Sequence, residues 1–250
     1  MSFRLLEPDK GIFLTETSST NSLLKGKEFP PGTWILADFQ SRGRGRKNRT
    51  WSVIGDEPFL FSGKLRYSGE LPSPNLVSLF VGASVSKALL STYPSLHSSG
   101  KLKIKWPNDI FVNDKKVCGI LIETEKEGEE WDWIIGIGAN LFGNRSPEEL
   151  PEAGFVTSLD SESGRRNRFL ETLLPLVNDA VLSLSDGKEY LSFVNDRLLW
   201  KGQTISFRQD GTEQTGMLLE VDASGRLLVK VDSGRILEFI DTPEDFRSLA

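Results

Sequence analysis

The 250-residue chain holds a single cysteine, Cys118, and a single histidine, His97. One thiol excludes an internal disulfide framework and a cysteine-based zinc site. One imidazole excludes the usual His-ligated metal centre, which needs at least two ring nitrogens. A Ser-His-Asp hydrolase could rest only on His97, and that residue sits in a Ser/Gly-rich stretch, 95–100, that reads as a loop tip. The chemistry is therefore expected to run without imidazole or thiolate. No segment reaches 18 apolar residues, and the opening MSFRLLEPDKG lacks the apolar run of a signal peptide. A cytoplasmic protein with no membrane partner is expected. Positive charge is not in excess either: the net charge of −5 at pH 7 supplies no whole-chain field for phosphate polymers, so no DNA partner is expected.

What is present is ordinary globular material, 38% hydrophobic and 26% charged. The length suits one large domain, or a domain of about 200 residues with a small appended module. Ser19, Thr20 and Asn21 before Leu23 and Leu24 read as a helix cap and a short helix. Residues 34–40 and 59–65 read as buried strands flanking a loop at 41–51. Apolar residues at helical spacing over 75–93, with Pro72 and Pro74 before them and Pro94 after, predict a long helix. Strands are expected at 102–106, 110–112, 117–123 and 131–141, with an acidic hairpin tip over 123–130. Helices are expected at 166–184 and 190–200. Beyond Trp200 the pattern changes to short alternating runs at 204–207, 214–221, 226–231 and 236–240, punctuated by Asp-Gly and Ser-Gly turns. The expected class is α+β: a mixed or antiparallel sheet carrying helices over 1–201, then a small SH3-like β-barrel over 202–250.

Two stretches carry chemistry. In the first, five of the eight residues from Arg42 to Arg49 are cationic, interleaved with Gly43 and Gly45. Glycines let backbone N–H groups approach an anion closely, and arginine adds planar donors for phosphate or carboxylate oxygens. A loop wrapping a phosphorylated ligand fits that composition; so does a solvated basic loop or a nucleic-acid patch. In the second, Lys105-Trp106-Pro107-Asn108-Asp109 is followed by Lys116 at the head of an apolar strand. Asp109 could hold Mg²⁺ through oxygen, and Lys116 could sit at a pocket floor. A capped turn with Lys116 in solvent fits equally well.

Taken together, these stretches resemble the biotin protein ligases (biotin–acetyl-CoA-carboxylase ligases). The resemblance rests on Ser19-Thr20-Asn21, Gln40, Gly43-Arg44-Gly45-Arg46, Lys105 to Asp109, Lys116 with Gly119-Ile120-Leu121, and Gly136-Ile137-Gly138-Ala139-Asn140-Leu141. Five motifs in order cover most of residues 19–141. The resemblance implies a class II synthetase-like catalytic fold and a two-step reaction. Biotin and ATP, with Mg²⁺, give biotinyl-5′-adenylate and pyrophosphate; a lysine of a biotin carboxyl carrier protein then takes the biotinyl group. It implies biotin contacts from Ser19, Thr20, Asn21 and Gln40, and further ones from Gly43, Arg44, Lys116 and Gly119. Arg46, Trp51, Asn108 and Asn140 would serve ATP and the adenylate, with Arg44, Arg46 and Lys116 catalytic and Asp109 a candidate Mg²⁺ ligand. Some family members carry an N-terminal DNA-binding winged helix; Ser19 lies close to the start, so the ligase-only form is expected, and a homodimer is compatible with the family.

Three features depart from the family pattern: Asn48 stands where the loop usually has glycine, Arg42 replaces a small residue, and Gly55 to Phe59 replaces the usual lead into the next strand. Asn tolerates positive φ better than other non-glycine residues, so the loop geometry is expected to survive. Trp131, Trp133 and Trp200 are expected in the core or on the surface. Rival readings are a lipoate ligase or octanoyl transferase, and a non-enzymatic biotin or nucleotide sensor.

Overall fold

The computed structural model describes residues 2–99, 101–158 and 164–249. Eight strands form the larger sheet: β1 (Ser2–Arg4), β2 (Gly11–Thr17), β3 (Trp34–Gln40), β4 (Glu57–Ser68), β5 (Leu102–Lys105), β6 (Asp109–Val112), β7 (Lys115–Glu127) and β8 (Glu130–Phe142). Their order is β2-β3-β4-β8-β7-β6-β5, with β1 added beside β4. Among the described strand pairs of this sheet only β2–β3 is parallel, so the sheet is mixed, as expected. The middle strands are the most apolar because both faces are covered. Phe59, Phe61 and Leu65 of β4 stand opposite Ala139, Ile137 and Trp133 of β8 and are buried with them.

Among the described residues five α-helices accompany the sheets: α1 (Thr20–Leu23), α2 (Pro74–Thr92), α3 (Ser95–Ser99), α4 (Arg165–Leu182) and α5 (Lys188–Asp196). Helix α2 is apolar all round and, by length and composition, could cross a membrane. Its surroundings explain that composition, since fourteen of its nineteen residues are buried inside the protein. Val77, Val81, Val85 and Leu89 pack with the large sheet and with Phe169, Leu173 and Val177 of α4. Leu79, Phe80 and Ala83 belong to a second core with Tyr190 and Val194 of α5 and Ile205, Phe207 and Leu218 of the C-terminal strands. One helix thus joins both cores.

Those C-terminal strands are β9 (Thr204–Gln209), β10 (Thr212–Val221), β11 (Leu227–Val231), β12 (Ile236–Phe239) and β13 (Glu244–Ser248), antiparallel in the order β12-β11-β10-β9-β13. Asp210-Gly211 makes the expected hairpin turn with both residues at positive φ.

Several expectations need correction. His97 lies in the single-turn helix α3 rather than on a loop tip, and Gly100 falls outside the described residues. Strand β7 runs on to Glu127, so the acidic segment is mostly strand and the turn is confined to Gly128 (φ 64) and its neighbour. The helix expected over 190–200 ends at Asp196. Ile104 N–H donates to Arg197 O and Leu199 N–H to Ile104 O, 2.8 Å each, so this segment pairs with β5 instead of continuing the helix. Strands β1, β2 and β13 were not expected. The last two lie at sheet edges, where buried and exposed residues do not alternate cleanly.

A buried ionic group ties this frame to the loop after α1. Lys64 of β4 lies 3.2 Å from Asp132 of β8 and donates to Gly26 O at 2.5 Å. Arg66 grips the same carboxylate through Nε at 2.6 Å and Nη2 at 2.9 Å. Burial by itself would raise the Asp132 carboxyl, but the bonds from Arg66 and Lys64 outweigh it and hold it below its usual 3.8. Asp132→Ala leaves Lys64 buried without its counter-ion and should cost about 3–5 kcal/mol in urea denaturation. A depressed folded-state value stabilises the fold above the unfolded-state value, and that stabilisation is lost as pH falls through the folded one. Wild-type stability should therefore drop below about pH 4, and an Asp132→Asn variant should lack that part of the drop.

Candidate active site

A cavity of about 430 Å³ opens between the large sheet, the loop at 41–51 and the segment joining β12 to β13. Its apolar wall includes Phe61, Trp106, Ile120 and Ile137; its polar wall comes from α1, the loop and the β6–β7 region.

The end next to α1 is a dense hydrogen-bond network. Ser19 caps α1, its Oγ accepting from Ser22 N–H at 3.5 Å, which leaves Thr20 and Asn21 buried in the first turn. Gln40, at the end of β3, accepts from the Thr20 N–H at 2.7 Å and lies 3.0 Å from its hydroxyl. Ser62 of β4, fully buried, lies 2.7 Å from Thr20 Oγ1 and 2.5 Å from Asn21 Oδ1. An amide oxygen can only accept, so the single Ser62 proton goes to Asn21 and the Thr20 hydroxyl must donate, to Ser62 or Gln40. Asn21 Nδ2 donates in turn to Glu123 at 3.0 Å. Gly136 makes room for this, since a Cβ there would strike the Asn21 amide.

Glu123, on β7, links that network to the basic loop. Lys25 Nζ lies 2.9 Å and Arg44 Nη1 3.0 Å from its Oε1. Burial pushes its carboxyl up, yet the bonds from Asn21 and Lys25 and the nearby Arg44 bring it below the usual 4.5. The loop itself is folded. Arg44 bridges to Thr50, Gly45 N–H donates to Arg49 O at 2.8 Å, and Trp51 N–H donates to Gly43 O at 3.0 Å. Lys47 and Asn48 have φ of 54° and 60°, so asparagine occupies the left-handed conformation expected of it. At the far side, Asp241 sits between Arg46 Nη2 (3.0 Å) and Lys47 Nζ (2.9 Å).

Lys116 and Trp51 complete the floor. Lys116 Nζ lies 2.7 Å from Asp109 Oδ1 and 5.7 Å from the Trp51 ring centre, so it faces the cavity rather than open solvent. Trp51 lies on two glycines opposite each other on β7 and β8. A Cβ at Gly138 would come within 2.6 Å of its Cε2, and one at Gly119 within 3.0 Å of its Cζ3. The Trp51 Nε1 donor is buried without a protein acceptor. Asn108 Nδ2 donates to Ile120 O at 2.9 Å and holds the β5–β6 turn against β7.

Most sequence-selected residues therefore share one cavity: Ser19, Thr20, Asn21, Gln40, Arg44, Arg46, Trp51, Asn108, Asp109, Lys116 and Gly119. Gly43 and Asn140 do not line it. Gly43 packs under Trp51, whose backbone a Cβ would strike. Asn140 is on the same face of β8 as Gly138, but residues 153–156 cover it, and its Nδ2 donates to Gly154 O at 3.1 Å. Sequence reading missed Ser62, Glu123 and Asp241, none of which lies in a glycine-rich or basic motif. It also gave no role to Lys105, whose amine burial pulls below its usual value while the Asp109 carboxylate opposes that. As a magnesium site, Asp109 offers one carboxylate already paired with Lys116, and no cluster of three His, Cys, Asp or Glu occurs among the described residues. That set does not fit a protein-held Mg²⁺, which prefers several hard oxygens.

The chain is similar to known proteins over most of its length. The family model described as the Biotin/lipoate A/B protein ligase family matches residues 11–140. The biotin–[acetyl-CoA-carboxylase] ligase of Paracoccus denitrificans is 30% identical over 244 residues, covering 89% of this chain and 95% of that protein. The bifunctional ligase/repressor BirA of Escherichia coli K12 is 28% identical over 221 residues, covering 86% of this chain and 67% of that one. Among solved structures, the biotin protein ligase from Aquifex aeolicus in complex with biotin and ATP superposes with a TM-score of 0.77 at 27% identity, covering 96% and 99% of the two chains.

The network at α1 makes a quantitative prediction. Ser62→Ala removes the donor to a buried amide oxygen without opening a large cavity. It should cost roughly 1–3 kcal/mol in denaturant unfolding, and a variant as stable as the parent would contradict the proton assignment above.

Proposed function

This chain belongs to the Biotin/lipoate A/B protein ligase family, and on that premise we propose that it is an ATP-dependent biotin protein ligase. It activates biotin as biotinyl-5′-AMP with release of pyrophosphate. It then passes the biotinyl group to a lysine of a biotin carboxyl carrier protein such as that of acetyl-CoA carboxylase. The single observation that carries this reading is the meeting of Arg44, Arg46 and Lys116 with the Ser19, Thr20 and Gln40 end in one cavity. The names of the relatives support the choice of biotin.

The chemistry suits the residues. Biotin's carboxylate is ionised at neutral pH, so its oxygen attacks the α-phosphorus without a general base. The bond from α-phosphorus to the bridging oxygen breaks and pyrophosphate leaves. What the step needs is alignment and neutralisation of negative charge. Lys116 supplies a fixed ammonium at the cavity floor, Arg44 and Arg46 supply guanidinium donors from the loop, and none of the three depends on an imidazole. The hydroxyls of Ser19 and Thr20 and the Gln40 amide complement a ureido ring with two donors and one acceptor; Asn21 and Gly119 shape the same end. Trp51, with an unpartnered ring N–H, suits a purine, and Asn108 holds the adjoining turn. In the second step the acceptor lysine, having lost its proton, attacks the acyl carbon. The bond to the phosphate oxygen breaks, AMP leaves, and an amide forms. The folded loop over the cavity would keep water from the mixed anhydride meanwhile. We assign 1–201 to the catalytic unit and 202–250 to a C-terminal unit; neither step calls on nucleic acid or a membrane, and the cytoplasm supplies both ATP and carrier.

Pyrophosphate should appear when biotin and MgATP are added together and not with either alone; its absence from folded protein would contradict the ligase reading. Lys116→Ala and Arg46→Ala should each slow that release by about 10²–10³-fold while leaving the circular dichroism spectrum intact, and parental rates in both would undo the site assignment. In a thermal-shift comparison with ATP present, biotin should stabilise the protein; stabilisation by lipoate alone would reassign the substrate.

A further inference from the structure

The glycine-rich loop brings two cations, Arg46 and Lys47, to the side of the cavity that faces the C-terminal sheet, and a carboxylate from that sheet already occupies the space between them. Asp241 lies in the segment between β12 and β13, with Oδ1 3.0 Å from Arg46 Nη2 and Oδ2 2.9 Å from Lys47 Nζ. Its position is fixed from behind. Thr242 N–H donates to Asp241 Oδ1 at 2.8 Å, and Asn75 at the head of α2 donates to Ile240 O at 2.6 Å. Asp241 through Phe246 line the same cavity as Lys116 and Trp51. Burial raises the Asp241 carboxyl, but the Lys47 and Thr242 bonds and the nearby Arg46 hold it below the ordinary aspartate value, so it is ionised at neutral pH.

We propose that Asp241 is an internal counter-anion: it holds Arg46 and Lys47 and yields them to the phosphates of the incoming nucleotide, so that it sets the affinity for ATP and for pyrophosphate. The inference rests on the ATP-dependent reading above and goes beyond it. Two considerations favour competition over simple bracing. The pair is about half exposed, 47% at Asp241 and 54% at Lys47, and ion pairs of that kind hold weakly, whereas a polyphosphate brings several charges to the same two cations. The loop also has fastenings that do not involve Asp241. Glu123 holds Arg44, and backbone bonds join Gly45 to Arg49 and Trp51 to Gly43. Removing the Asp241 charge therefore frees the cations without unfolding the loop.

The experiment is calorimetric titration of the full-length protein with MgATP and, separately, with inorganic pyrophosphate, comparing the parent with Asp241→Asn and with Glu244→Gln. The Glu244→Gln change, at the first residue of β13, removes the same formal charge from the same cavity wall, and Glu244 has no contact with the loop cations among the described ion pairs. Removing one unit charge at this range should tighten both ligands about three- to tenfold in Asp241→Asn, less so at high salt, with biotin affinity unchanged. Unchanged or weaker affinity in Asp241→Asn, with the parent binding normally, overturns the inference alone. An equal gain in Glu244→Gln also overturns it, because the effect would then be general repulsion rather than the contact. Failure of every form to bind MgATP overturns the ATP-dependent reading together with this one.

Discussion

Several cations must share one cavity in a chain whose net charge is negative, and the site depends on how they are kept apart from one another. Arg44, Arg46, Lys47 and Lys116 are drawn together by a glycine-rich loop and the head of β7, and each faces a carboxylate from a different part of the chain. Glu123 answers Arg44, Asp241 answers Arg46 and Lys47, and Asp109 answers Lys116. These partners offset the mutual repulsion of the cations, while backbone bonds from Gly45 to Arg49 and from Trp51 to Gly43 keep the loop folded. With them the site is organised before any anion arrives, which is what electrostatic catalysis requires of it. The sheet supplies the rest of the order. Glycines 119, 136 and 138 leave the face of β7 and β8 low enough for Trp51 and Asn21 to lie against it.

The two sheets serve this arrangement through α2. A helix buried on every side is an expensive use of apolar residues unless it has two partners, and here it has them. Because one rigid element carries both cores, the segment bearing Asp241 is held in register with a loop that lies about 195 residues earlier in sequence. The indole N–H of Trp106 adds a second link, donating to Gly225 O at 2.9 Å.

Much of this was legible in the residues alone. Strong local patterns gave the long helix, the central strands and the C-terminal hairpins, because burial on a fixed period leaves a mark on sequence. The cap at Ser19 and the positive φ at Asn48 were also readable, since each follows from the chemistry of one side chain. What escaped shares a different property. Ser62, Glu123 and Asp241 matter through long-range contacts that no local pattern announces: a serine in an apolar strand, a glutamate in an acidic run, an aspartate in a turn. Asn140, given a nucleotide role only by resemblance, lies outside the cavity because residues 153–156 cover it, a long-range contact that no local pattern announces. Edge strands such as β2 and β13 were missed because an exposed edge relaxes the alternation that identifies a strand.

The central claim is that these balanced cations activate a carboxylate for transfer to an amine. The most direct measurement is intact-mass spectrometry of a biotin carboxyl carrier domain incubated with the protein, biotin and MgATP. The account predicts one biotinyl group, located by fragmentation on the acceptor lysine and absent when that lysine is replaced by arginine. An unmodified carrier in the presence of folded protein, or a carrier labelled only when lipoate replaces biotin, would contradict it.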